Sequence, residues 1–81
     1  MAEQIKEPVF IVTSKTSRKM LPQFMEWRGR TYQFIHLGLH HTTFDGDILI
    51  HIFSMVTKEA NFQISLNTKT LLWTLEAIET V

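Results

Sequence analysis

The sequence predicts an all-β protein, a six-stranded antiparallel meander. Three observations carry that expectation. Short runs rich in Val, Ile, Phe, Thr, Tyr and Trp recur along the chain, turn residues separate them, and no segment shows helical periodicity. The length of 81 residues suits one domain, and 44% apolar residues suffice for its core.

Residues 1–7 read as a flexible polar arm, and 8–81 as a single β-barrel domain. Pro8 to Val12 is the first strand, with proline tolerable only at its start or on an edge. Thr13 to Lys19 is a polar, basic loop, and Pro22 opens a second strand that runs to about Trp27. Arg28-Gly29-Arg30 is a tight turn in which Gly29 supplies the positive φ of a type II′ loop. That register sets Trp27 opposite Tyr32 and Met25 opposite Phe34 on an apolar face, with Glu26 opposite Gln33 on a polar one.

The third strand, about Thr31 to Thr43, changes phase. Its apolar residues are first even-numbered (Tyr32, Phe34) and then odd-numbered (Ile35, Leu37, Leu39), which requires a bend between Phe34 and Gly38. Asp45-Gly46 is the strongest turn signal. As a two-residue loop it pairs Leu39 with Ile52, His41 with Ile50 and His40 with His51. Ile35, Leu37, Leu39, Ile48, Ile50, Ile52 and Val56 then share one face, the expected core face. The fourth strand ends near Thr57, and Lys58-Glu59 turns into a fifth, Phe62 to Leu66, which alternates without a fault. Asn67 to Thr70 is a further turn. The sixth strand runs from about Leu71 to Ile78, with a bulge near its end; a helical turn over 74–81 competes for that last piece. Closing the meander into a small SH3-like barrel would hide its edges.

Net charge is zero, but it is divided: residues 1–30 carry six cations against three carboxylates, and residues 31–81 two against five. Absence of cysteine removes disulfides, thiolate metal sites and a cysteine nucleophile. The N-terminal MAEQIKE has no apolar signal-peptide core, and no apolar run is long enough to span a bilayer. A cytoplasmic protein with no membrane partner is expected.

Four histidines, His36, His40, His41 and His51, raise a metal hypothesis. On strands His36 and His40 are roughly 13 Å apart, His41 points away from His40, and only His40 and His51 come together across strands. Zinc takes three or four ligands, so no metal site and no cofactor are expected. Ser54 and His51 lie on opposite faces of one strand, which removes a local Ser–His pair. With no phosphate-cradling glycine loop either, the chain reads as a non-enzymatic module with no small-molecule substrate. Trp27, Tyr32, Phe24, Phe62 and Trp73 read first as core and second as a base-stacking platform, while Phe44 and Phe53 are candidates for exposed contact.

The run Trp27-Arg28-Gly29-Arg30 with Tyr32 and Phe34, then Leu37, His40-His41, Ile52-Phe53-Ser54 and a closing Trp73-Thr74-Leu75, resembles a family of uncharacterised small bacterial β domains. Members of that family lie beside, or are attached to, genes for error-prone Y-family DNA polymerase-like proteins. The likeness covers about residues 8–79 and departs from the pattern at His41, where a tryptophan is expected, and in the isoleucine-rich fourth strand. It implies a partner that is nucleic acid or a nucleic-acid enzyme, in DNA repair. The matching candidate site is basic: Lys15, Arg18 and Lys19 in the first loop, and Arg28 and Arg30 at the next hairpin tip. The alternative is a protein–protein interaction domain that docks through a sheet edge or the face of His36, His40, His51 and Phe53.

Overall fold

The computed structural model describes residues 2–15 and 20–80. Seven strands form one antiparallel sheet: β1 (Ala2–Lys15), β2 (Met20–Trp27), β3 (Arg30–Gln33), β4 (His36–Asp45), β5 (Ile48–Val56), β6 (Ala60–Asn67) and β7 (Trp73–Thr80). Their order is β3-β2-β1-β7-β6-β5-β4. The all-β antiparallel expectation stands, with two corrections. Seven strands replace six because the long third strand divides into β3 and β4 at Phe34-Ile35. The barrel is absent because β3 and β4 stand at opposite ends of the sheet without pairing. The two-residue link touches both ends: the Phe34 amide donates to the Gln23 carbonyl at 2.9 Å, and the Ile35 amide donates to the Val56 carbonyl at 2.6 Å.

Residues 2–7, read from sequence as an arm, form the first half of β1. Ala2 to Val9 pairs with β7, and Phe10 to Lys15 pairs with β2. The pairing slips between Gln4 and Glu7, where Lys6 takes φ +55°. Ile5 and Glu7, two residues apart, both lie on the half-buried side, as strand alternation requires. Charged residues hid the strand, since its alternation of half-buried and exposed positions includes Glu3, Lys6 and Glu7.

Inner-face side chains build one core. Met25, Phe34, Phe53, Met55, Ala60, Phe62, Ile64 and Leu75 are buried, and Ile5, Val9, Ile11, Trp27, Tyr32, Leu37, Trp73 and Ile78 pack against them. Tyr32 meets Phe62 edge-on with ring centroids 5.0 Å apart, and Phe34 lies 6.4 Å from the same ring. The β2–β3 hairpin therefore folds over β6, so the sheet covers its own inner face. Two bulges keep large residues inward. Val12 pairs with Phe24 but Thr13 with Pro22, so Gln23 is the extra residue and both Met25 and Pro22 are buried. Glu76 is the extra residue on β7, between the Ile64–Leu75 and Gln63–Ala77 pairs, in the place where the sequence implies a bulge. The helical alternative for that segment does not form.

Both predicted hairpins exist, each with its register moved by two. Trp27 pairs with Arg30, so Arg28 and Gly29 form the loop, at φ +51° and +74°. Two consecutive positive φ values mark a type I′ loop in place of the expected II′. Asp45 pairs with Ile48, so Gly46 and Asp47 are the loop in place of Asp45 and Gly46, with Gly46 at φ +63°. A shift of two preserves which residues share a face.

The expected core face of β4 and β5 is reversed. Phe53 and Met55 are buried, while Leu39 is exposed and Ile48, Ile50, Ile52 and Val56 are only half-buried on the other side. Both faces of β5 are apolar, so alternation alone does not choose between them. The choice is made by β6, whose Phe62, Ile64 and Leu66 pair with Met55, Phe53 and His51. Gly38 takes up the difference: the register shifts between Leu37 and Leu39, so Leu37 joins the core and Leu39 does not.

Candidate apolar cleft and its histidine pair

Where β2 crosses over β4 and β5, the inner face opens into a cleft of about 300 Å³. Among the described residues its walls are Met20, Leu21, Leu37, Phe53 and Leu66, with His40, His51 and Thr68 at polar positions. The Thr68 hydroxyl donates to the Leu49 carbonyl at 2.7 Å, which turns it toward the backbone. His40 Nε2 and His51 Nδ1 are 2.9 Å apart, so one ring donates its N–H to the other. His40 also lies flat on Phe53, with centroids 4.3 Å apart and planes within 3°. Phe53 in turn meets Trp73 at 5.6 Å.

The two histidines come together as the sequence implies, but diagonally and on the inner face. His40 pairs with Phe53 and Thr42 with His51, and the face expected to look outward is the one that lines the cleft. Phe53, expected as an exposed contact, is buried; Phe44 is exposed as expected. Among the described residues no three His, Cys, Asp or Glu side chains are grouped to hold a metal. The arrangement combines apolar walls, whose covering would exclude water, with one polar pair that supplies directional hydrogen bonding.

The basic residues are distributed differently. Lys15 ends β1, and Arg28 and Arg30 stand at the far end of β2. Arg18 and Lys19 lie outside the described residues. Arg28 holds Glu7 in a 2.6 Å ion pair and stacks over Trp27 at 4.5 Å, while the Trp27 Nε1–H donates to Glu7 at 3.0 Å. Hydrogen bonds from Arg28 and Trp27 hold the Glu7 carboxyl below the ordinary glutamate range, and the Glu7 carboxylate raises Arg28 above its ordinary value. Arg30 reaches Glu59 at 2.5 Å and stacks over Tyr32 at 4.9 Å. Both arginines thus tie the β2–β3 tip to its neighbours, Arg28 to β1 and Arg30 to the β5–β6 turn. The sequence holds no sign of these partners, which are 21 and 29 residues away along the chain.

Fold and site together define a small all-β protein that carries an open apolar cleft. No family model, curated protein or solved structure matches the chain. Among the described residues, no helix is long and apolar enough to cross a membrane.

Proposed function

We propose that the protein is a binding module that docks a partner protein by taking a large apolar side chain into the cleft between β2 and the β4–β5 hairpin. The observation that carries this reading is the lining: five apolar side chains around about 300 Å³, with the His40–His51 pair at its edge. A volume of this size suits one aromatic or branched anchor, the kind of residue that dominates protein interfaces. Panning a displayed peptide library should select peptides with a single aromatic or leucine anchor. Met20→Asp places a carboxylate at an exposed lip of the cleft and should abolish their binding with the circular dichroism spectrum unchanged. Selection of peptides without an apolar anchor, or binding indifferent to Met20→Asp, would overturn the reading.

A second reading, contact with nucleic acid in the setting that the family resemblance implies, is favoured by one observation. Phe10 and Phe24 are exposed diagonal neighbours on the outer face of β1 and β2, between Lys15 at one end and Arg28 and Arg30 at the other. Exposed rings beside cations stack bases without sequence preference. Fluorescence anisotropy with labelled oligonucleotides at low salt tests it: binding should weaken in Phe10→Ala and in Arg28→Ala/Arg30→Ala. Absence of binding at about 100 μM protein removes this reading.

A further inference from the structure

The two ends of the sheet are unequal. The terminal strand β3 has four residues, and Arg30 on it is fastened to Glu59. The other terminal strand, β4, has ten residues, and between His36 and Phe44 it carries no Lys, Arg, Asp, Glu or Pro. Short length, charge and proline are the means by which proteins keep a sheet edge from pairing, and β4 uses none of them beyond the irregularity at Gly38.

We propose that two copies of the chain join edge to edge through β4, antiparallel, about a twofold axis at Thr42. The register follows from the hairpin. Asp45 and Ile48 flank a two-residue loop, so they exchange both backbone hydrogen bonds, and that bonding recurs at Thr43, His41 and Leu39. The peptide groups of His40, Thr42 and Phe44 are then directed to the outer side of β4. A twofold axis perpendicular to the sheet sets inner face beside inner face, so these three residues must pair among themselves. Centring on Thr42 sets Thr42 opposite Thr42 and His40 opposite Phe44, and makes about six hydrogen bonds. Centring on His41 or on Thr43 makes only about four, and the former runs Phe44 into the Gly38 irregularity.

Side chains agree with this register. Threonine opposite threonine is a favourable cross-strand pair. Phe44, 67% exposed on the inner face, arrives beside His40 of the second copy and lengthens the row that His40 makes with Phe53. Each copy thereby adds a phenylalanine to the rim of the other's cleft. This inference goes beyond the docking function and rests on the edge and its register, so the two fail separately.

Light scattering after size exclusion should give twice the 9.5 kDa chain mass. Thr42→Pro removes the amide at the axis, one that the β4–β5 ladder does not use, and should give a monomer with an unchanged sheet spectrum. The chain has no cysteine, so Thr42→Cys reports the register: its two thiols face each other across about 5.5 Å between Cα atoms and should oxidise to a covalent dimer. Phe44→Cys, roughly 14 Å from its own copy, should not. Met20→Asp should leave the dimer intact. A monomeric mass at about 100 μM, above the range of most specific interfaces, overturns the proposal. So does Thr42→Cys failing to cross-link while Phe44→Cys succeeds; if Thr42→Pro does not fold, that cysteine pair still decides.

Discussion

The two hairpins, β2–β3 and β4–β5, are built alike and used differently. Each turns on a two-residue loop with a glycine at positive φ. The first is held through both of its strands and its tip: Trp27, Tyr32 and the following Phe34 enter the core, and its two arginines grip carboxylates on neighbouring elements. The second is held on one side only. β5 is central and buries Phe53 and Met55, whereas β4 buries no residue and presents Leu39 and Phe44 to solvent. The polar contacts of the first hairpin fasten its tip to β1 and to the β5–β6 turn. The second hairpin leaves apolar surface exposed.

Removing the ring on which the first hairpin rests should have the largest effect. Phe62 is 3% exposed and contacts both Tyr32 and Phe34, so Phe62→Ala should cost about 3–5 kcal/mol in urea denaturation. Phe44→Ala should cost next to nothing in the same measurement, because its ring has little buried surface to lose in the single chain. Equal losses at the two positions would erase the contrast between the hairpins.

The loops should respond alike. A β-carbon added to Gly29 or Gly46 would have no atom within 4 Å, and the two residues sit at φ +74° and +63°. Replacement by alanine therefore meets no clash and costs only the left-handed backbone, about 1–2 kcal/mol at each. A much greater loss at Gly29 would show that the arginine grips depend on the turn's shape.

Much of this architecture was legible in the sequence. The phase change after Phe34, the Gly29 and Gly46 turns, the alternation of Phe62 to Leu66 and the bulge before Ile78 all mark real features, because each is a local consequence of period-two alternation or of glycine's backbone freedom. What was not legible is what depends on distant partners. A register shifted by two leaves every side chain on the same face, so no pattern within one hairpin detects it. Ile48, Ile50 and Ile52 are as apolar as Phe53 and Met55, and only β6 decides which set is inside. The cleft escaped for the same reason: the His40–His51 pair was found, but Met20 and Leu21 reach it across the folded sheet.

The smallest expected effect concerns what Glu7 does for the first hairpin. Its carboxyl is held below the ordinary glutamate range by Arg28 and Trp27, so the folded protein binds a proton there less readily than the unfolded chain does. The resulting stability is present above the ordinary glutamate range and is lost as pH falls through the lowered value. Glu7→Gln removes this contribution, so wild type should exceed the variant slightly at neutral pH, and the gap should close as pH falls through the ordinary glutamate range and the lowered value beneath it. Because the pair is solvent-exposed, added salt should narrow the gap as well. The same substitution bears on the nucleic-acid reading. If Arg28 contacts phosphate, then freeing it from Glu7 should strengthen oligonucleotide binding and steepen its salt dependence. If Arg28 serves only to hold the hairpin tip to β1, Glu7→Gln should shift the acid limb of the stability curve and leave oligonucleotide anisotropy unchanged.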